Sequence, residues 1–179
     1  MTFENFQKRF HKKNTIDRYW NYLLSIAVIG IGVYFLYLLY YTDWYGIKTE
    51  TTENIAPKWF INCFSGFFIS LGLYGFWRIP KIYEFTKIES CHSNTDKELV
   101  INELISEFKL NKLEKGDQYH NFRYKRGFFR HYFYIYIFYD DNNIYLNAQQ
   151  YDYRGYIDFG TSKRVTNKIK RKILEHLEI

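Results

Sequence analysis

Residues 128–139 read FFRHYFYIYIFY. The run is dense in aromatic and β-branched side chains and divides cleanly with a period of two. One set holds Phe129, His131, Phe133, Ile135, Ile137 and Tyr139; the other holds Arg130, Tyr132, Tyr134, Tyr136 and Phe138. That pattern predicts a long strand with two different faces. Asp140–Asn143 follows as a turn, because Asp and Asn accept the required backbone angles and bond their own main chain. Ile144–Gln150 then reads as the partner strand. Tyr119–Lys125 reads as the preceding strand, entering the turn at Arg126-Gly127, and Tyr156–Phe159 as a fourth after Arg154-Gly155. Connections of hairpin length predict an antiparallel meander.

Helices flank this sheet. Thr95 and Glu98 have the spacing of a capping box, in which each side chain satisfies the other's backbone donor. They open a helix whose Ile101, Leu104, Ile105 and Phe108 form one apolar stripe, with Gly116 as its latest possible end. Ser162 is placed to cap a last helix, Lys163–Leu177, with its own stripe of Val165, Ile169, Ile173 and Leu177. The expected order is α-β-β-β-β-α, a small α+β domain over 81–179 with an antiparallel sheet. Both helices should pack on the face carrying Ile135, Ile137 and Leu146. The tyrosine face is then left for solvent or a partner.

The N-terminal half has another character. The chain of 179 residues is 47% hydrophobic with a mean hydropathy of -0.41, an average that misleads because its apolar residues are concentrated in two blocks. Tyr19–Thr42 and Trp59–Trp77 contain no Asp, Glu, Lys, Arg or His. A span needs about 20 apolar residues to cross a hydrocarbon core of about 30 Å, so both blocks qualify. Tyr19, Trp20, Tyr40, Tyr41 and Trp44 flank the first, and Trp59, Phe60, Phe76 and Trp77 the second, as rings that favour the headgroup level. Pro80 should end the second helix. The first block is too long for a signal-peptide core and is preceded by a charged segment.

Lys8, Arg9, Lys12, Lys13 and Arg18 precede the first block, and Arg78, Lys81 and Lys87 follow the second. The loop between holds only Lys48 against Asp43, Glu50 and Glu53. Positive residues stay inside. The expected layout is a basic cytoplasmic N-terminus (1–18), a transmembrane hairpin (19–80, outer loop 43–57) and a cytoplasmic domain, in the inner membrane with both termini cytoplasmic. Cys91 is then a free thiol in a reducing compartment. Small residues at Gly30, and at Cys63, Gly66 and Ser70 on one face of the second span, are candidates for helix packing within the hairpin or between copies.

About 95 residues remain for a water-soluble domain, one small core, which excludes an enzyme with separate cofactor and substrate domains. No P-loop, GxSxG, GxGxxG or paired metal-ligand motif occurs. His120 and His131 on adjacent strands, with Asp140, Asp141 and Asp152 at turns, allow an acid–base or metal site to be drawn, but none has metal-ligand spacing. The expectation is a protein that is not an enzyme, with no cofactor and no metal. Three groups are candidates for binding. Tyr132, Tyr134, Tyr136 and Tyr145, with Tyr151 and Tyr153, offer flat rings with polar tips. Arg123, Lys125, Arg126 and Arg130 lie among rings near the first hairpin turn, a composition suited to phosphate and base. Lys163, Arg164, Lys168, Lys170, Arg171 and Lys172 form a basic helix suited to anionic lipid or to phosphate.

Two N-terminal spans, Tyr19–Thr42 and Trp59–Trp77, followed by a small cytoplasmic domain, resemble in layout the compact membrane effectors of bacterial antiviral systems, CBASS and type III CRISPR ancillary proteins. The resemblance implies a cytoplasmic domain that binds a cyclic oligonucleotide and a homo-oligomer that perturbs the membrane. No diagnostic motif is matched, so no residue role is carried over. Another expectation is a membrane immunity or accessory protein that binds a second membrane protein through its outer loop and span faces.

Overall fold

The computed structural model describes residues 1–41, 58–126, 131–151 and 160–177. Among them are five helices and a five-stranded antiparallel sheet, so the chain is α+β. It divides into two compact units, Asp17–Ile79 on one hand and Met1–Ile16 with Pro80–Ile179 on the other.

The first unit consists of most of α2 (Thr15–Tyr41) and α3 (Lys58–Ile82). Both helices are long and apolar enough to cross a membrane, and only 17% of each apolar window is buried, whereas the core helix of a water-soluble domain would be mostly covered. Pro80 lies inside α3, two residues before its end, and does not terminate it at once. The two helices meet through a short repeat. Residues 25–32 read SIAVIGIG and 65–72 read SGFFISLG. A Cβ on Gly32 would sit 2.8 Å from the Ser65 carbonyl oxygen, and one on Gly72 would sit 2.7 Å from that of Ser25. Each glycine therefore meets the other helix's serine, and the backbones approach too closely for a side chain. Gly30 and Gly66 have nothing within 4 Å of such a Cβ, and Ser70 is exposed. Of the two expected roles for Gly30, Gly66 and Ser70, packing within the hairpin is corrected: hairpin contact runs through Ser25, Gly32, Ser65 and Gly72. Spacing identifies a small-residue face, but several such faces coexist on one helix.

In the second unit the sheet order is β1-β5-β4-β3-β2. The central strands are β3 (Tyr119–Arg126), β4 (His131–Tyr139) and β5 (Asn143–Tyr151), with Ile137 opposite Leu146 and Ile135 opposite Ala148. The edges are β1 (Thr86–Glu89) and β2 (Asn111–Lys115), neither of which the sequence pattern announces. Both are short and polar, and they are strands because they pair with β5 and β3. The expected four-strand order is corrected to this extent; Tyr156–Phe159 lies outside the described residues.

α4 (Asn94–Phe108) and α5 (Thr161–His176) cover the apolar face, where Phe133, Ile135, Ile137, Ile144 and Leu146 are fully buried with Ile101, Leu104, Ile169 and Ile173. Each such side chain contributes about 1.5–3 kcal/mol by leaving water. Ser93 rather than Thr95 caps α4, its Oγ accepting from the Asp96 N–H at 3.1 Å. Ser162 does not cap α5; its Oγ accepts from the Gln150 N–H at 3.0 Å, tying the helix to β5. Lys97 is fully buried and donates to the Asp140 and Asp141 carbonyls at 2.7 and 2.8 Å, so a cation holds the β4–β5 turn against α4. Burial pushes its pKa down.

The basic N-terminal segment is not a tail. Phe3, Phe6 and Phe10 share one face of α1 (Phe3–Lys13), which Thr2 caps. Phe3 stacks on Tyr145 (3.7 Å between centroids), Phe6 on Phe138 (5.2 Å), and Phe10 meets Tyr136 edge-on (4.9 Å). Residues 1–16 thus belong to the domain. The tyrosine face, expected to be open, carries a helix over part of its length.

Candidate functional site: the tyrosine face

The strand register arranges this face in rows, each made by directly paired residues of β3, β4 and β5. The first row is Tyr119, Phe138 and Tyr145; the second Asn121, Tyr136 and Asn147; the third Arg123, Tyr134 and Gln149; the fourth Lys125, Tyr132 and Tyr151. The face therefore grades from aromatic to polar and basic.

α1 takes the aromatic end. Its three phenylalanines, with Phe85, make a cluster of edge and stacked ring contacts worth about 0.5–1.5 kcal/mol per pair beyond burial. Arg9 adds an exposed ion pair to Glu114 at 3.1 Å and lies over the Tyr119 ring. The Tyr119 hydroxyl donates to Glu114 at 2.6 Å, a bond that pushes its pKa up. Burial does the same for Tyr145. Tyr136 and Tyr145 are therefore packing residues under α1, which corrects their reading as an exposed binding surface.

The remaining rows are different. Arg123 is half-buried with its guanidinium carbon 3.9 Å from the Tyr132 ring centre, and Tyr132 and Tyr134 are half-buried. Lys125, opposite Tyr132, is exposed. Asn121, Asn147 and Gln149 are at least nine-tenths buried. Among the described residues, Asn121 Oδ1, Asn147 Oδ1, Gln149 Nε2 and Arg123 Nε have no hydrogen-bond partner. Asn147's orientation is fixed, since its Nδ2 donates to the Ile82 and Glu84 carbonyls at 2.9 and 2.7 Å. A buried polar atom left unpaired costs about 1–3 kcal/mol. Several such atoms lie on one side of one sheet.

The other predicted residues fall elsewhere. Arg126 ends β3, but its side chain, Arg130, Tyr151's side chain and Tyr153 lie outside what the structure describes, as does the loop 43–57. The basic residues of α5 lie in the helical layer on the opposite side of the sheet, and acids match several of them. Arg171 pairs with Glu175 at 3.5 Å; Lys172 pairs with Glu175 at 2.8 Å and Glu107 at 3.3 Å, bonds that push its pKa up. Lys168 sits over the Phe108 ring. Lys163 and Arg164 are exposed and Lys170 half-buried. This is a mixed-charge helix face.

His120 and His131 do not come together. His120 pairs with Ile137, six residues along β4 from His131, roughly 20 Å at strand rise. His120 is buried on the core face between the Phe122 and Tyr139 rings, with both nitrogens unpaired, and burial, with Lys115 nearby, pushes its pKa down to about 4. Among the described residues no group of three His, Cys, Asp or Glu side chains is placed to hold a metal. Cys91 and Cys63 are free and exposed.

No family model, no curated protein and no solved structure matches the chain. Asn121, Asn147 and Gln149 are the residues that sequence reasoning missed. They hold alternate positions of β3 and β5 on the same face as the tyrosines, a visible signal, but only the register sets them side by side.

Proposed function

We propose that the chain is a non-enzymatic inner-membrane protein with both termini cytoplasmic, whose α+β domain binds a ligand and passes that event to the α2–α3 hairpin. One observation supports it above the others: both chain connections to the hairpin run over the tyrosine face. α1, docked on the aromatic rows, leads into α2 after the single residue Asn14. The end of α3 is held by Asn147, whose own Oδ1 is one of the unpaired atoms. A ligand that reorganises the polar rows therefore acts on the residues holding both connections. The layout supports a cyclic oligonucleotide as the ligand and membrane perturbation by a homo-oligomer as the response. Gly30, Gly66 and Ser70, left exposed by the hairpin, are suited to contacts between copies. The experiment is expression in cells with and without cyclic oligonucleotides, following membrane potential and growth. Collapse of the potential only when both are present is the expected result; an unchanged potential sinks the effector reading.

The same exposed small residues favour a second reading, an immunity or accessory protein that binds another membrane protein. In that case exchanging residues 43–57 for an unrelated loop abolishes protection, while changes on the tyrosine face do not.

A further inference from the structure

We propose that the polar half of the tyrosine face is a nucleotide site, in which Asn121, Asn147 and Gln149 read the base edge while Arg123 and Lys125 hold the phosphate. The inference rests on the ligand-binding reading above and assigns it residues and a ligand chemistry. Two independent observations converge. Half-exposed Arg123, Tyr132 and Tyr134, with exposed Lys125, give the face cations and rings. Beside them, buried polar side chains carry unpaired atoms, namely Asn121 Oδ1, Asn147 Oδ1 and Gln149 Nε2.

The chemistry of the unpaired set selects among ligands. Asn147 Oδ1 is an acceptor, because its amide nitrogen is committed to two main-chain carbonyls. Gln149 Nε2 is a donor. A ligand completing both must present a donor and an acceptor, as the edge of a nucleobase does. An inorganic anion engages the cations and leaves the amide oxygens unmet; an acyl chain meets none of these groups. Size agrees. β3 and β5 flank β4, so the set spans about 10 Å across the strands, and successive rows on one face lie about 7 Å apart. That footprint suits a base with its sugar phosphate and exceeds a single phosphate. Arg123 is already held over Tyr132, so its guanidinium is oriented before a phosphate arrives. The two tyrosine rings supply flat area for stacking.

The test uses the full chain in detergent micelles, titrated calorimetrically with the four ribonucleoside monophosphates, their cyclic dinucleotides and inorganic phosphate, and by flotation with phosphatidylserine vesicles. At least one nucleotide is expected to bind, with affinity reduced tenfold or more in Gln149→Met and in Arg123→Gln. Thermal unfolding of ligand-free Gln149→Met supplies the readout that a structural role would not give. Removing an unpaired buried amide should leave its midpoint unchanged or raise it, whereas loss of a packing contact would lower it. Nucleotide binding that is equal in wild type and both variants overturns the site while leaving the ligand-binding reading intact. Binding to vesicles or inorganic phosphate alone, lost in Arg123→Gln, overturns the nucleotide assignment in favour of a headgroup or free anion. No binding to any probe overturns the site and the ligand-binding reading together.

Discussion

The two faces of one sheet are built on opposite rules. Beneath α4 and α5, the face carrying Phe122, Phe133, Ile135, Ile137 and Leu146 is fully buried and almost wholly apolar. On the other side, aromatic rows lie under α1 and polar rows follow with unpaired atoms. A face whose only task is stability fills with branched aliphatics, because every buried methylene is favourable and none needs a partner. A face that leaves Asn121 and Gln149 unmet gives up stability there, about 1–3 kcal/mol for each buried polar atom without a partner.

That contrast can be broken or sharpened by substitution, with thermal unfolding of the full chain in detergent as the common measurement. The largest effect is expected at the apolar face. Leu104→Ala should cost about 2–5 kcal/mol, since a packed surrounding keeps the cavity open. A loss under 1 kcal/mol would mean that the helical layer is loosely packed. Next comes Phe6→Ala under α1, expected to cost about 1.5–3 kcal/mol, because a surface helix can lift away and leave no cavity. A loss as large as that of Leu104→Ala would erase the distinction between the faces.

His120, an exception on the apolar face, sharpens the comparison through pH. Its folded pKa of about 4 lies below its ordinary 6.5, so the folded state favours the neutral ring. Above pH 6.5 neither state takes up the proton and the linkage is silent. As pH falls from 6.5 towards 4 the unfolded chain binds a proton that the folded chain refuses, and stability declines; below about 4 that decline levels off. His120→Phe, which fits between the Phe122 and Tyr139 rings, should remove this part of the acid dependence. An unchanged acid limb would show that His120 is hydrated in solution. Least is expected from Arg9→Ala: its exposed pair with Glu114 is worth about 0.2–1 kcal/mol, so a shift beyond that range would give α1 an electrostatic hold that the aromatic contacts do not explain.

How far the structure was legible varied with the kind of signal. The alternation over 131–139 and the turn at 140–143 are strong local patterns, and β4 and β5 follow them closely. β1 goes unread in the sequence and β2 falls within the latest possible extent of the preceding helix, because TKIE and NKLEK carry little apolar content; their state comes from hydrogen bonding to a neighbour. In 91–98 two overlapping cap signals compete, and Ser93 with Asp96 prevails over Thr95 with Glu98. Residues 1–18 read as a basic N-terminus separate from the domain, although Phe3, Phe6 and Phe10 already have helical spacing. Of the candidate site, Arg123, Lys125, Tyr132 and Tyr134 were visible, whereas Tyr136 and Tyr145 proved to be covered.

Long apolar runs and strict alternation are properties of neighbouring residues, so the two long helices, the central strands and the basic and tyrosine-rich composition could be read directly from the order of amino acids. Which tyrosines α1 covers, which glycines meet a facing serine and which amides gather beside Arg123 depend on the pairing of residues far apart in the chain. Those distant pairings appear only when the chain has folded, because strand register and helix docking are chosen by the burial of whole faces.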